Sequence, residues 1–427
     1  MNHFPRLTRL LLGFSLAACL APAASGYSVL THEELIDLAW NDSIRPLLLA
    51  RFPQATAAQL REAHAYAYGG SAIQDMGFYP FGQAFFSNLT HYVRTGDFID
   101  FLFRDARTVN ELAFAIGALS HYVGDSIGHS EAINPATAIA FPNLEHKFGP
   151  SVTYDESPHS HIRTEFAFDI GQLTNHAFAP PPYLRFIGFK VPRNLLERAF
   201  FDTYGFRSHE VLGRTRAALR SYRTSVRSFI PAFAEAEVVL HRNQFPPNPN
   251  DEAYRVFAER VSRTNYDRHW ARTYNGPGFK AHLLAVLVFI IPKIGAISDL
   301  AIKIPTPETE EWYLKSVNHS VDWYREILDK VRTGADNPLA LANLDLDTGK
   351  LVKPGGYPLT DKTYAELLKR VTSKPQRTIP RALKQNIQNY YADPNAPIST
   401  RKNKEAWEHA TAQLKVLDQM RASSDLE

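Results

Sequence analysis

Apolar residues recur at intervals of three and four along most of the chain, the spacing that places them on one face of an α-helix. Sustained alternation of apolar and polar residues, which is typical of strands, is scarce. We therefore expect a mainly α, multi-helix protein. The predicted helical segments lie near 31–51, 55–68, 81–94, 108–130, 161–177, 193–204, 208–242 and 251–270.

Two proline-rich or glycine-rich stretches interrupt the helical pattern. Residues 245–250 contain three prolines, which stop helices and favour an extended chain. They predict a boundary between a first region, residues 27–245, and an additional helical C-terminal region, residues 251–427. Residues 344–359 read as a turn-rich excursion or small hairpin, because Pro354 is followed by two glycines.

The segment Leu283–Ile291 is wholly apolar, and Ile294–Ile304 is again mostly apolar. Nine apolar residues are too few to cross a bilayer, which requires about 20 in a helix. The pattern favours a buried helix of the C-terminal region. A helix that rests on a lipid surface is the second interpretation, and a membrane span is the third.

The first 26 residues have the layout of a secretory signal peptide. Arg6 and Arg9 precede an apolar run over residues 10–20, and small residues end at Gly26. Cleavage there would leave Tyr27 as the first residue of the mature chain. We therefore predict residues 1–26 to be a signal peptide and the protein to be exported, either periplasmic or secreted.

Composition and charge narrow the class of protein. The chain has 427 residues, of which 44% are hydrophobic, so it can bury a large core and is not a disordered polymer. Its 47 basic and 44 acidic residues give a net charge of +3, or +1 without the leader, so no stable nucleic-acid partner is expected. The single cysteine, Cys19, lies in the leader. A lipoprotein anchored through Cys19 is the alternative to cleavage before Tyr27.

Histidines and carboxylates recur at helical spacing in the middle of the first region. His121, Asp125 and His129 are four residues apart, which places them along one stripe of a helix. His161 and Glu165 repeat this spacing on a second predicted helix. One such pair is usually solvent-exposed or a simple hydrogen bond, but several in register need a partner that offsets their desolvation.

A divalent metal ion is such a partner, because imidazole nitrogen and carboxylate oxygen are both zinc ligands. His32 follows the predicted mature terminus closely, and Asp75 and His91 lie between it and the stripe. Each of these three residues would be unremarkable alone. Together with the stripe they suggest a catalytic metal site, since no cysteine is available for a closed structural one.

The order of these residues resembles that of the zinc-dependent phospholipase C family. This family includes secreted bacterial phospholipases and the catalytic domain of the phospholipase D that cleaves glycosylphosphatidylinositol anchors. Single-strand-specific nucleases share its trinuclear zinc architecture. The resemblance covers roughly residues 27–245 and, more loosely, residues 344–372. It implies a multi-helix catalytic domain in which the N-terminal residue itself binds zinc through its amino nitrogen and carbonyl oxygen.

The resemblance also implies three zinc ions and their ligands. Asp75 would in addition orient or deprotonate the attacking water. The implied ligand sets are Asp75, His91, His121 and Asp125 for the first zinc; the Tyr27 terminus and His32, with Asp125 bridging, for the second; and His129, His161 and Glu165 for the third.

Two features differ from the bacterial phospholipases. The best-known members begin with Trp, whereas this chain would begin with Tyr27; the backbone groups bind the metal, so the change is tolerable. The aspartate and the next histidine are six residues apart in those enzymes, and Asp125 and His129 are four apart here. The anchor-cleaving catalytic domain is closer to the four-residue spacing.

The resemblance implies an exported zinc-dependent phosphodiesterase that hydrolyses phospholipids by metal-activated water. Its partners would be a phospholipid or another phosphodiester, with transient contact to a membrane surface. A zinc-dependent single-strand nuclease of the same architecture is one alternative. A non-catalytic, metal-stabilised binding protein is the other.

Overall fold

A computed structural model describes residues 27–246, 251–290, 302–334, 339 and 341–423. The predicted signal peptide, residues 1–26, and the alternative lipid attachment at Cys19 lie outside the described residues. Most of the second apolar stretch, Ile294–Ile304, also lies outside them.

The described chain is mainly helical, as the periodicity predicts. Short π-helical turns at Trp40–Ile44, His129–Ile133, Ser225–Phe229 and Asp267–Ala271, and 3₁₀ turns at Ile73–Phe78 and Ser399–Lys402, extend or join the α-helices. The α-helices are α1 (Val29–Ala39), α2 (Arg45–Arg51), α3 (Ala57–Ser71), α4 (Ala84–Tyr92), α5 (Thr95–Asp105), α6 (Val109–Gly128), α7 (Asn134–Ala140), α8 (Pro142–Phe148), α9 (Pro158–Thr174), α10 (Pro181–Ile187), α11 (Arg193–Tyr204), α12 (Ser208–Leu212), α13 (Thr215–Thr224), α14 (Ile230–His241), α15 (Glu252–Ser262), α16 (Phe279–Ile290), α17 (Pro307–Thr333), α18 (Pro358–Thr372), α19 (Arg381–Tyr391) and α20 (Lys404–Gln419).

Strands are minimal in the described residues. β1 (Leu344–Asp345) and β2 (Lys350–Leu351) pair antiparallel, with Leu344 opposite Leu351, and form a hairpin where the sequence indicates one. β3 (Ile379–Pro380) pairs in parallel with β4 (Ala422–Ser423). The mainly α fold class is therefore confirmed.

Helix α6 runs through the centre of the protein and crosses α3 at very short range. A Cβ atom on Gly70 would lie 2.1 Å from the carbonyl oxygen of Phe114, and one on Gly117 would lie 2.1 Å from that of Ala67. Both distances are impossible for a real side chain, so only glycine allows the two backbones to meet. Thr108 caps the start of α6 by accepting a hydrogen bond from the Glu111 amide.

Helix α17, from the C-terminal region, packs against the N-terminal helices. The Tyr324 hydroxyl donates to the Ile116 carbonyl oxygen in α6 (2.9 Å), and the Tyr313 hydroxyl lies 2.7 Å from that of Thr31 in α1. One hydrophobic core runs from Tyr27 to Met420 in the described chain. The division of the chain near residues 246–250 remains a prediction.

Helix α16 contains the first part of the apolar stretch, and it is not fully buried. Phe279 is 83% exposed, and Leu283 and Val286 are each 54% exposed, whereas Ala281 and Ala285 are buried. Within the ranges described, no helix combines the length and the apolar character needed to cross a membrane.

Candidate metal centre

Six elements, among them α6 itself, bring the predicted ligand side chains together. His32 comes from α1, Asp75 from the 3₁₀ turn Ile73–Phe78, and His91 from the last turn of α4. The other ligand candidates lie on α6, on the π turn after it, and on α9. All of them are at most 2% exposed: His32, Asp75, His91, His121, Asp125, His129, His161 and Glu165.

The first group surrounds a small central space. The Nε2 atoms of His91 and His121 are 3.2 Å apart and lie 3.3 Å and 3.0 Å from Asp125 Oδ2. Asp75 Oδ1 completes the group, at 3.4 Å from His91 Nε2 and 4.0 Å from His121 Nε2. Tetrahedral ligands at ~2.0–2.1 Å from zinc are about 3.3–3.4 Å apart, so these distances suit a zinc ion between the four atoms.

The other nitrogen of each imidazole is held by the backbone. His91 Nδ1 donates to the Ser87 carbonyl oxygen (2.7 Å), and His121 Nδ1 donates to the Ser71 carbonyl oxygen (3.0 Å). Because the proton is fixed on Nδ1, the Nε2 lone pair of each ring points at the central space. Backbone or carboxylate acceptors hold metal-binding histidines in this way.

Asp125 links this first group to His32. Its Oδ1 atom lies 3.2 Å from His32 Nε2, while Oδ2 faces His91 and His121. The His32 ring stacks on that of His121, with centroids 4.3 Å apart. His32, His121 and Asp125 thus form a second group of potential ligands. One carboxylate can therefore serve two metal ions.

Tyr27 is fixed beside this second group. Its side chain is 1% exposed and its ring centroid lies 6.0 Å from that of His32. Its hydroxyl donates to Ser316 Oγ in α17 (2.7 Å). A Cβ atom on Gly128 would come within 2.7 Å of the Tyr27 ring, so the end of α6 makes room for this residue.

Asp169 in α9 anchors the start of α1. Its carboxylate accepts hydrogen bonds from the amides of Leu30 and Thr31, at 3.0 Å and 3.1 Å, and from the Thr31 hydroxyl at 2.6 Å. A carboxylate stabilises the N-terminal end of a helix, where amide hydrogens lack partners. Burial nevertheless raises the pKa of Asp169 to about 6. The contact sets the position of His32 relative to the α9 ligands.

The third group comprises His129, His161 and Glu165. His129 Nδ1 lies 3.3 Å from His161 Nε2, and His161 Nδ1 lies 2.6 Å from Glu165 Oε1. The two histidine rings stack with centroids 4.8 Å apart. The structure thus brings every ligand candidate of the sequence into one of three groups or, for Tyr27, beside one. Their role as metal ligands remains a proposal.

The pKa shifts describe a charged first group in the protein without metal. Burial by itself would raise the pKa of Asp125, but His121, His32 and His91 hold that pKa well below its ordinary value. Burial opposes the charged form of His91, yet Asp125 and Asp75 raise its pKa to about 10. A metal ion among these ligand atoms would replace the second proton of His91, the one on Nε2, and leave the Nδ1 proton on the Ser87 carbonyl oxygen.

Burial shifts the pKa values of the third group toward the neutral forms of its side chains. Burial, reinforced by His129, holds the pKa of His161 well below its ordinary value. Burial raises the pKa of Glu165 well above its ordinary value, and the nearby carboxylates of Asp125 and Asp75 add to this effect. A divalent cation bound here would favour the carboxylate form of Glu165 and the unprotonated imidazole nitrogens that bind metals.

Buried polar atoms without hydrogen bonds provide the test of whether a metal fits. Both carboxylate oxygens of Asp75 and both ring nitrogens of His32 lack a hydrogen bond. Such atoms cost free energy of about 1–3 kcal/mol each unless something satisfies them. Here they converge on the groups described above. The donor set of imidazole nitrogen and carboxylate oxygen therefore fits zinc.

Of the four aromatic residues that follow Asp75 closely in sequence, one lies beside the centre. Among Phe78, Tyr79, Phe81 and Phe85, only Phe78 lies against it, with its ring centroid 6.2 Å from that of His91. Tyr79 packs on Tyr222. Phe85 is buried, whereas Phe81 is 63% exposed at the surface. Tyr154 is the aromatic residue that sequence reasoning missed, 6.0 Å from His161 between ring centroids.

Two other histidines of this half lie away from the centre. His146 is exposed on α8. His64 is buried and its Nε2 lies 2.9 Å from Asp37 Oδ1, while its ring stacks on Trp40. It is part of core packing.

Asp347, from the β1–β2 turn, is the clearest residue that the sequence did not indicate. Its Oδ1 atom lies 3.5 Å from His129 Nε2. Asn134 at the start of α7 is another, since its Oδ1 atom lies 2.8 Å from His161 Nε2. Neither residue has a helical partner at fixed spacing, so periodicity carries no signal for them.

Fold and site together define the class: a helical protein with a buried histidine–carboxylate centre suited to divalent metal ions. Residues 31–211, which make up less than half of the chain, match the family model described as zinc dependent phospholipase C. The resemblance seen in the sequence is therefore confirmed. The match includes every predicted ligand except Tyr27, and at the level of the family it identifies a zinc-dependent phosphodiester hydrolase. No curated protein and no solved structure matches the chain.

Proposed function

We propose that this protein is an exported, zinc-dependent phosphodiesterase that cleaves phospholipids in the manner of a phospholipase C. The observation that carries the proposal is the position of Asp125, whose two oxygens face His32 on one side and His91 with His121 on the other. A carboxylate that faces two groups of ligands in this way could serve two neighbouring metal ions of a hydrolytic centre.

Three zinc ions would occupy the three groups. The first would bind Asp75, His91, His121 and Asp125. The second would bind His32 and Asp125, together with the amine and carbonyl oxygen of Tyr27 once the leader is removed. The third would bind His129, His161 and Glu165.

Zinc in these positions would supply Lewis acidity, which makes water a nucleophile near neutral pH and offsets the charge of a phosphodiester. Asp75 has a free oxygen for the proton transfer. Its Oδ1 faces His91, while Oδ2 has no hydrogen bond and can accept a proton from the attacking water. Phe78 and Tyr154 pack over the histidines, with ring centroids 6.3 Å apart, and would limit water access. No covalent nucleophile is needed.

The exposed face of α16 supports a lipid substrate over a nucleic acid. Phe279, Leu283 and Val286 are more than half exposed and lie at helical spacing on one face. An amphipathic helix of this kind can rest at the surface of a bilayer. We propose that it provides a transient contact with the membrane. The nearly balanced net charge offers no general attraction for polyanions.

The direct test uses zinc-loaded protein that begins at Tyr27, phospholipid vesicles and, separately, single-stranded DNA. We expect release of diglyceride and a phosphorylated head group from the vesicles. Asp75→Asn should lower the rate by about 10²–10⁴-fold, the usual contribution of general acid–base catalysis. Cleavage of DNA but not of lipid would identify a nuclease instead. Bound zinc without turnover on either substrate would favour the binding-protein alternative.

The N-terminal amine gives a second test. Adding Gly-Ser before Tyr27 would remove the free amine from its place beside His32, and we expect one zinc ion to bind at least about tenfold more weakly. Tyr27→Phe is the matched control, because it keeps the amine and removes only the hydroxyl, which contacts Ser316 and Ser320. Zinc content measured by atomic absorption after dialysis reports the result. Equal zinc retention in the extended and unextended proteins would contradict a role for the amine.

A further inference from the structure

The hairpin β1–β2 places a buried carboxylate against the third metal group. Asp347 is fully buried, although it lies in a turn of the C-terminal region. Its Oδ1 atom and His129 Nε2 face each other at 3.5 Å, and neither atom has a hydrogen bond. Each of these two buried atoms is therefore a potential hydrogen-bond partner for the other.

Two tyrosines fix the orientation of this carboxylate. The hydroxyls of Tyr92 and Tyr357 both donate to Asp347 Oδ2, at 2.9 Å and 2.6 Å. Oδ2 is thereby occupied, so Oδ1 is the oxygen that remains for His129. Tyr92 directly follows the first-group residue His91 in α4, which ties the same carboxylate to both metal groups.

The two ring nitrogens of His129 face different partners. Nδ1 lies 3.3 Å from His161 Nε2, within the third group, whereas Nε2 faces Asp347. A histidine that binds a metal through one nitrogen usually donates the proton of the other to a carboxylate or carbonyl, which fixes its tautomer and orientation. Asp347 occupies the position of that carboxylate.

We propose that Asp347 is a positioning residue of the third metal group. Its carboxylate would accept a hydrogen bond from the Nε2 proton of His129 and so keep Nδ1 available for zinc. This inference rests on the proposed function, in which the group holds zinc.

The same turn also contacts His161 through Asn134. The Asn134 side-chain amide donates to the Asp347 carbonyl oxygen at 2.8 Å, and its Oδ1 lies 2.8 Å from His161 Nε2.

Gly349 shows that the turn is built to sit against the metal-binding helix. Its φ of +66° is in the left-handed region that glycine tolerates. A Cβ atom there would lie 2.3 Å from the Ser126 carbonyl oxygen, between the ligand candidates Asp125 and His129 of the same helical segment. Any other residue would push the turn, and Asp347 with it, away from α6.

The test compares Asp347→Asn with Asp345→Asn in the full mature chain loaded with zinc. The Asp345 carboxylate belongs to the same hairpin but accepts hydrogen bonds from the Thr360 hydroxyl and the Thr348 amide. Titration with a zinc-chelating dye should show three sites in the unmodified protein. In Asp347→Asn one site should bind zinc about 10–100-fold more weakly, the usual effect of losing such a partner. Asp345→Asn should keep all three affinities.

Thermal unfolding of each metal-free variant separates positioning from simple stability. Unchanged zinc affinities in Asp347→Asn, whatever its unfolding temperature, would overturn the inference. Equal weakening in both variants would also overturn it, because the effect would then come from the hairpin as a whole. An unmodified protein that binds no zinc would overturn the proposed function and the inference with it.

Discussion

Asp125→Asn is expected to remove the activity and to release two of the three zinc ions. The carboxylate faces His32 through one oxygen and His91 with His121 through the other, so a neutral amide would weaken two sites at once. A catalytic metal contributes several kcal/mol to the transition state, and about 4 kcal/mol corresponds to roughly a 10³-fold loss in rate. Phosphodiester turnover and zinc content in the same sample check both effects.

The matched control for this substitution is Glu310→Gln in α17. Glu310 is also a buried carboxyl and accepts a hydrogen bond from Gln172 at 2.6 Å, but it is not part of any of the three groups. Its conversion to an amide should leave zinc content and turnover close to those of the unmodified protein. Retention of all three zinc ions by Asp125→Asn would show that Asp125 does not bridge metal sites.

Removal of zinc by a chelator is expected to lower the unfolding temperature substantially. Ligand binding to the folded state alone stabilises it by about 4 kcal/mol when the ligand is present at ~1,000 times its Kd, and three such sites give about 12 kcal/mol. For a chain of this length that corresponds to roughly 10–15 °C. Differential scanning calorimetry before and after chelation measures the change.

Addition of zinc to the chelated protein should restore the original unfolding temperature, whereas magnesium should not. Magnesium prefers oxygen ligands and near-octahedral geometry, and the three groups are rich in imidazole nitrogen. An unfolding temperature that does not change with zinc would mean that the buried groups are stable without metal, which would contradict the whole assignment.

The helical repeat explains why most of the site could be predicted from sequence. His121 and Asp125 lie one turn apart on α6, and His161 and Glu165 lie one turn apart on α9, so periodicity alone places each pair on one face. His32, Asp75 and His91 have no such internal spacing. Only the family resemblance identified these three residues as ligands, and the structure places their side chains next to the ligand candidates of α6.

Other parts of the centre depend on tertiary contacts that no local pattern encodes. Asp347 lies next to His129 because the β1–β2 hairpin packs against α6 through Gly349. The local sequence of this hairpin predicts only a turn. Closeness in sequence is an equally poor guide for the aromatic residues after Asp75. Tyr79 and Phe85 are buried in the hydrophobic core, and Phe81 faces solvent.

The contact between α17 and the first residues of the mature chain has a practical consequence for dissecting this protein. Tyr27 and Thr31 find their hydroxyl partners on α17, at Ser316 and Tyr313. A recombinant fragment trimmed to the family match, residues 31–211, would lose both this support and the hairpin that carries Asp347. If such a fragment is inactive, the cause would be the loss of these supporting contacts. Comparisons of specificity between relatives are therefore best made with whole chains.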